Sequence, residues 1–492
     1  MTVPIIPGFH PDPSVCRAGG TYYLANSSFE YVPGVPIRRS TDLVSWELVG
    51  HALTRPGQLP PGEGVASGGV FAPTLRHHDG RFHLVTTNVL EPRGHLIVTA
   101  EDPAGPWSDP VYVAGTAGID PDLCWDDAGV CHLTWASFLP TLTGIASVPI
   151  DPGTGAMLAE PRLLWNGTGL AAPEGPHLYH VDGWWYLMLA EGGTERGHAV
   201  TIARARSLEG PYEPAPANPI LTHRSTTHPV QNTGHADLVE CADGSWAMVY
   251  LGVRPRGKTP QFHVNGRETF LAGVDWVDGW PVVAEDRFTI EPADNSFTDG
   301  FATAELHPRW VAPGAGPETF TRWAGPAELR LTADAGRAAP PALLTRALDE
   351  QWTASAALDV SGGTAKFVVR LDDRHWYGLV ADGASVTATL VIGPAVHAVT
   401  KVASGPRVSL RIRALPGASQ EPDLLELSVL RQDGRAEVLG SFDGRYLSTE
   451  VATGFTGRMI GVEVLDGTAT LHEFGYSSGV GTAGSHGADR QD

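Results

Sequence analysis

GGTYYLANSS (19–28), DGRFHLVTTN (79–88), DAGVCHLTWAS (127–137), DGWWYLMLAEG (182–192) and DGSWAMVYLGV (243–253) are five versions of one pattern. Each sets a turn glycine, usually after an Asp, before an alternating or aromatic-rich run. The glycines Gly20, Gly80, Gly129, Gly183 and Gly244 stand 60, 49, 54 and 61 residues apart. Each run has strand composition, and each glycine stands where a hairpin turn needs one. The intervals leave room for about four strands per unit, as in a propeller blade. Five such units predict a five-bladed β-propeller over residues 1–292.

Eight or nine residues before these glycines stand Asp12, Ala72, Asp120, Glu174 and His235. In equivalent blades they start the strand that precedes the hairpin strand, near the central axis. A narrow axis favours small or apolar residues. Three carboxylates and a histidine converging there are costly unless they do chemistry or bind a cation.

The chain has 492 residues, too many for one ordinary core. Gly 58 and Pro 40 are scattered as turn punctuation, and Trp 14 excludes a disordered low-complexity chain. The net charge of −21 disfavours nucleic acid and anionic lipid as partners. The N-terminal MTVPIIPGFHPDPS lacks a basic and then apolar leader, and no run approaches a membrane span, so a cytoplasmic location is expected. Cys16, Cys124, Cys131 and Cys241 show no metal spacing and are expected as free thiols, although Cys124 and Cys131 flank a turn and could face each other across a hairpin.

Near residue 293 the chain changes character. FVVRL (367–371), WYGLV (376–380), VTATLVI (386–392), VSLRIR (408–413), LLELSVL (424–430) and TATLHEF (468–474) alternate and are separated by turn signals. They predict a β-sandwich, of jelly-roll or concanavalin-like kind, over residues 296–476. The polar, Gly/Ser-rich stretch 477–492 reads as a disordered tail. The fold class is all-β.

Several long stretches resemble glycoside hydrolase family 43, in the branch of β-xylosidases and α-L-arabinofuranosidases with a C-terminal sandwich. They are PGFHPDPSVCRAGGTYYLANSSFEYVPGVPI, SGGVFAPTLRHHDGRFHLVTTN, GIDPDLCWDD, PEGPHLYHVDGWWYLMLAEGGTERGHAVTIARA, QNTGHADLV and GRETFLAGVDWVDGWPVV. NSFTDGF and TGFTGRMIGVEV carry a looser resemblance in the sandwich. The resemblance implies inverting hydrolysis on a five-bladed propeller. It makes Asp12 the general base, Asp120 the acid that orients the donor and raises its pKa, and Glu174 the general acid. His235 and Arg267 would line the sugar pocket, with Phe29, Phe71 and Ala72 as its wall. Phe71 stands where the family often has a bulkier aromatic. Phe455 of TGFTG would bring an aromatic from the sandwich to the mouth of the propeller.

The chemistry suits these residue types. Inverting hydrolysis needs one protonated and one ionised carboxyl group about 6.5–9.5 Å apart. Residues on different blades around one axis can meet that spacing, and neighbours on one strand cannot. A free Glu is ionised at neutral pH, and a neighbouring anion such as Asp120 raises its pKa.

Taken alone, the residues leave other uses open. Asp120 could cap its own turn, Arg267 could pair with a surface acid, and Phe455 could be a core residue. His235 could hold sugar, a bridging water or a calcium ion near the axis. The alternating Trp184 and Trp185 read as packing between blades.

The expected activity is the release of xylose from the non-reducing ends of xylo-oligosaccharides. α-L-Arabinofuranosidase activity in the same pocket is the alternative, on arabino-oligosaccharides. No cofactor is required for the chemistry, and the oligomeric state is open to a homo-oligomer. A non-catalytic sugar-binding propeller would not keep all three carboxylates. The retaining fructan hydrolases are set aside because their WMNDPNG-like and ECP-like signatures are missing.

Overall fold

A computed structural model of the chain describes residues 3–417 and 421–479. Almost all of its regular structure is strand, and the chain divides into two compact units. The first unit holds the residues through Ile6, His10–Arg254 and Arg267–Ile290. The second holds Pro7–Phe9, Pro255–Gly266 and the residues from Glu291 on. It therefore includes two short segments that a linear division at residue 292 leaves in the first.

The first unit is the five-bladed propeller. Ser14–Ala18, Thr74–His78, Gly118–Trp125, Glu174–Val181 and Gln231–Glu240 each begin an antiparallel sheet whose later strands follow in chain order. In the third blade a fifth strand, Arg162–Trp165, pairs with Gly144–Asp151. The five first strands neighbour one another in sequence, and the fifth also neighbours the first, so they line the axis of a closed ring. In the second and fourth blades the turn pairs Asp79–Gly80 and Asp182–Gly183 are left-handed at both residues, with φ of 49° and 74°, and of 50° and 71°. That is the type I′ geometry of a two-residue hairpin. In the first blade Gly19 takes the left-handed position, at φ 60°, instead of Gly20.

Alternation along each hairpin strand supplies two apolar faces, one for each neighbouring blade. In Trp184–Glu191, the side chains of Trp185, Leu187 and Leu189 join a core with Ala136 and Ile145 of the third blade. Tyr186 and Met188 join another with Met248, Tyr250 and Phe270 of the fifth. Trp184 packs partly buried on that second side, beneath the guanidinium groups of Arg206 and Arg204, 3.5 and 4.2 Å from its ring centre. Both tryptophans thus pack between blades, as their alternation predicts. Five such cores separate the five blades. The last is completed by Ile5 and Ile6, which pack with Val239, Val249 and Leu271 of the fifth blade. Ile5 also donates its N–H to Thr269 O at 2.9 Å.

Below the first residues of the axial strands, the axis is filled by ions. Arg76 of the second blade donates to Asp122 of the third and Asp237 of the fifth, each at 2.8 Å. It also lies 3.0 Å from His177 Nδ1 of the fourth blade. Tyr179 OH donates to Asp237 at 2.6 Å, and Ser14 Oγ of the first blade does so at 2.7 Å. All five blades thus contribute to one buried network. Burial opposes ionisation of Asp237, but Arg76 outweighs it and holds the carboxyl well below the usual range.

The second unit is the sandwich. Its two longest strands, Trp352–Arg370 and Met459–Ser478, pair along most of their length, with register shifts around Gly362 and Gly363 that bend the ladder. From Trp352 to Val360 buried and half-buried residues alternate, the signature of a strand with one face on a core. Each of the six runs expected in this unit lies in a strand, save for Leu371 just past the end of Trp352–Arg370. Ser477 and Ser478 correct the expected tail: they continue the last strand and pair with Thr353 and Trp352. Residues 480–492 lie outside the described residues. Cys16, Cys124, Cys131 and Cys241 are free thiols. Cys131 faces Trp125 across its hairpin, and Cys124 faces His132. No helix among the described residues is long and apolar enough to cross a membrane.

Replacing Arg76 with alanine leaves two buried carboxylates without their cation. Losing one partner of a buried ion pair costs about 3–5 kcal/mol. Urea unfolding followed by tryptophan fluorescence should show the propeller transition of Arg76→Ala weakened by about that amount. A loss below about 1 kcal/mol would mean that Arg76 does not hold the axis together.

Candidate active site

Asp12 precedes the first strand of its blade by two residues, Asp120 and Glu174 lie at the start of theirs, and His235 lies midway along Gln231–Glu240. Asp120 and His235 sit within β-bulges, where the register shifts between Ile119 and Asp122 and between Gly234 and Asp237. The strand begun by Glu174 has a matching shift between Glu174 and His177. Bulges re-aim a side chain off the regular pleat. Asp12, Asp120 and His235 also share a left-handed backbone, with φ of 52°, 56° and 42°. For residues other than glycine this conformation costs about 1–3 kcal/mol each and persists only where the surroundings enforce it.

The surroundings of Asp12 are visible in detail. Its loop is tied down by Asn26, whose Nδ2 donates to Pro11 O at 2.9 Å, and by Thr269, whose Oγ1 donates to His10 O at 2.7 Å. The carboxylate accepts from Ser27 Oγ at 2.5 Å and from Arg267 Nη1 at 2.9 Å, and lies 3.3 Å from His235 Nδ1. Arg267 is itself oriented by a bond to Thr194 Oγ1 at 3.1 Å. Burial would raise the pKa of Asp12, but Arg267 and His235 overcome it and hold the group well below the ordinary carboxylate range. Both positive groups thus favour Asp12 as the anion.

Glu174 has the opposite environment. Burial, and then the charge of Asp120, push its pKa up to about 7. Asp120 is buried too, with its pKa raised by burial, and accepts from the N–H of Gly175 at 3.2 Å. Gly175 is left-handed, at φ 56°, and a Cβ there would stand 2.8 Å from the His235 ring. Only glycine lets the fourth blade approach His235 this closely. Burial works against charge on His235, but its bond to Asp12 wins and lifts the pKa to about 9.

The pocket-wall residues gather nearby in the first and second blades. Phe29 and Phe71 meet edge to face, with centroids 5.1 Å apart, and the Arg267 guanidinium lies 5.7 Å from the Phe29 ring centre. Ala72 is buried. Phe455 belongs to the second unit, past the short helix Thr449–Ala452, and is 37 % exposed, outside the sandwich core.

His235, the residue open to a calcium role, turns its Nδ1 to the Asp12 carboxylate at 3.3 Å. Two residues further along the same strands, Asp122 and Asp237 both pair with the Arg76 guanidinium.

Sequence reasoning missed Ser27, Thr194 and the whole Arg76 network. A signal for the network was there: Ser14, Asp122 and Asp237 recur at one offset, each two residues after an axial residue, in three blades.

The profile of glycosyl hydrolases family 43 matches residues 1–281, and that of the beta xylosidase C-terminal concanavalin A-like domain matches residues 298–473. The chain is 36% identical to the non-reducing end alpha-L-arabinofuranosidase BoGH43B of Bacteroides ovatus, over 99% of this chain and 93% of that one. It is 46% identical to a xylosidase/arabinosidase of Butyrivibrio fibrisolvens, over 57% of this chain and 56% of that one. The solved xylan beta-1,4-xylosidase of Bacillus halodurans C-125 superposes with a TM-score of 0.87 at 29% identity, covering 97% of this chain and 100% of that one.

The pKa of His235 carries a stability consequence with a definite sign. An unfolded histidine titrates near 6.5. With the folded value raised to about 9, the stabilisation is complete below pH 6.5 and is lost as pH rises through 9. Carbon-13 NMR of labelled histidine should show His235 as an imidazolium at pH 7.5. In Asp12→Asn its midpoint should fall by at least one pH unit. A midpoint near 6.5 in the unaltered protein would contradict the assigned contact.

Proposed function

Because the chain belongs to glycosyl hydrolases family 43, we propose that it is an inverting, exo-acting hydrolase that removes single β-xylose units from the non-reducing ends of xylo-oligosaccharides. The observation that carries this reading is the divergence of two carboxyl groups on different blades. Asp12 is held ionised by Arg267, His235 and Ser27, while Glu174 is held near neutrality by burial and Asp120. Environments that push two acids apart in this way assign a base and an acid.

In the mechanism, Asp12 accepts a proton from a water as that water attacks the anomeric carbon. Glu174 donates its proton to the departing glycosidic oxygen. Both transfers occur in one step, so the configuration inverts. Asp120 maintains the proton on Glu174 without taking part in transfer. Arg267 and His235 supply fixed positive charge and hydrogen-bond donors beside Asp12 for sugar hydroxyls, and Phe29, Phe71 and Ala72 give the sugar an apolar wall. No step calls for a cofactor.

A second reading, α-L-arabinofuranosidase, is favoured by the Bacteroides ovatus relative, whose match runs through both domains. Xylopyranose and arabinofuranose can place similar hydroxyls on the same groups. Initial rates on p-nitrophenyl β-xyloside and p-nitrophenyl α-L-arabinofuranoside decide between the two. A larger kcat/KM on the arabinoside would overturn the first reading in favour of the second.

Proton NMR of the first product should show the anomer opposite in configuration to the substrate. Asp12→Ala should lower kcat by at least about 10³-fold without unfolding the protein. Glu174→Ala should lose as much on xylobiose, yet far less on substrates with a good leaving group, for which protonation matters less. Equal losses across leaving groups would remove Glu174 from the role of acid.

The alkaline limb of the kcat/KM profile reports loss of the Glu174 proton and should lie near pH 7. Asp120→Asn removes the anion that helps to raise that pKa, so the limb should move to lower pH. An unmoved limb with only weaker binding would show that Asp120 acts on the substrate alone.

A further inference from the structure

We propose that His223, His228 and Glu285 form a binding site for one divalent transition-metal ion, best suited to zinc, on the outer side of the fifth blade. None of the three takes part in the chemistry above. LTHRSTTHPV (221–230) leads from the fourth blade into the first strand of the fifth, and Glu285 directly follows Trp280–Ala284, the outermost strand of the fifth. Fold topology brings them together: one ligand atom from each lies within 4.8 Å of the others, and among the described residues this is the one group of three or more His, Cys, Asp or Glu so placed.

The two rings are prepared for a shared cation. His223 Nδ1 lies 2.8 Å from Val230 O, so that nitrogen carries the proton and Nε2 is left to face Glu285 at 2.9–3.0 Å. His228 Nδ1 lies 3.1 Å from the same carbonyl and accepts from the Val230 N–H at 3.2 Å, so the Val230 backbone holds that ring, and the two ring centroids are 3.8 Å apart. Glu285 is steadied by Tyr250 OH at 3.2 Å. Holding each ligand from behind is how proteins orient imidazole and carboxylate toward a metal.

A nitrogen lone pair facing a carboxylate needs a cation between them. One divalent ion serves both rings and the carboxylate.

Two imidazoles and one carboxylate are a zinc donor set, leaving a fourth position for water. Calcium and magnesium, which prefer oxygen, are poorly matched. Tetrahedral bonds of about 2.0–2.1 Å put ligand atoms about 3.3 Å apart, so His223 and Glu285 need separate by only a few tenths of an ångström. His228 and Glu285 are partly exposed, so the ion can reach them. Bound there, it would tie the loop before the fifth blade to that blade's outermost strand.

The full chain, stripped with EDTA and dialysed against micromolar zinc chloride at pH 7.5 in 0.15 M NaCl, tests this by elemental analysis. The unaltered protein should retain one more equivalent of zinc than His228→Ala. Zinc should raise its unfolding temperature by about 2–4 °C and leave that of the variant unmoved. Glu285→Gln, which keeps the side-chain shape, should weaken zinc binding by about 10-fold or more. Cobalt(II) should give a visible ligand-field band in the unaltered protein and not in His228→Ala. Zinc content that is nil, or equal in the unaltered protein and both variants, would overturn the proposal.

Discussion

Everything near the axis depends on the placing of one guanidinium. Five strands converging on a line leave too little room for large apolar side chains and too much for none. Here the space is filled by Arg76 with Asp122 and Asp237, with Ser14, His177 and Tyr179 completing the set. A charge buried in this way is tolerable only if every partner is in place. The same network therefore fixes the mutual rotation of all five blades. It sets the floor on which Asp12, Asp120, Glu174 and His235 stand, two or three residues along the same strands.

Above that floor, one positive pair sorts three acids. Arg267 and His235 both lean on Asp12, so the stabilising charge is concentrated on one carboxylate. Asp120 and Glu174 are left to share the cost of burial, and it appears as raised pKa values. The asymmetry depends on close approach. Gly175 admits the ring of His235, and Gly234 admits that of His198, a buried histidine whose pKa burial lowers to about 4. His198 turns its Nδ1 to the Asn232 carbonyl, whereas His235 turns its own to the Asp12 carboxylate, and their pKa values move in opposite directions.

Much of this was legible in the chain. The recurrence of turn glycines and alternating runs was enough for the blades, because hairpin chemistry is local. The register of Asp12, Asp120, Glu174 and His235 against those glycines was enough to bring them to one axis. The partners across the ring were not legible. Ser27, Thr194 and Arg76 lie on strands or loops whose local pattern is ordinary, and their roles exist only once distant segments meet. The division of the chain was hidden for the same reason: Pro7–Phe9 and Pro255–Gly266 lie within the propeller's sequence yet group with the second unit. Ser477 and Ser478 looked like tail by composition, but pairing with Thr353 and Trp352 made them strand.

The bond from Ile5 to Thr269, and the cluster that Ile5 and Ile6 complete with the fifth blade, have a consequence for the order in which the protein is made. Asp12 follows those residues directly, and its guanidinium partner, Arg267, is 255 positions away along the chain. On the ribosome, four blades can emerge and pack while the segment bearing Asp12 still lacks the surface that fixes it. Asp12, its countercharge and the ring are completed together, when the fifth blade arrives. Closure over so long a loop is slow, and until it happens the nascent chain holds an unneutralised carboxylate where the finished protein holds a poised one. Ring closure and the maturation of the site are one and the same step.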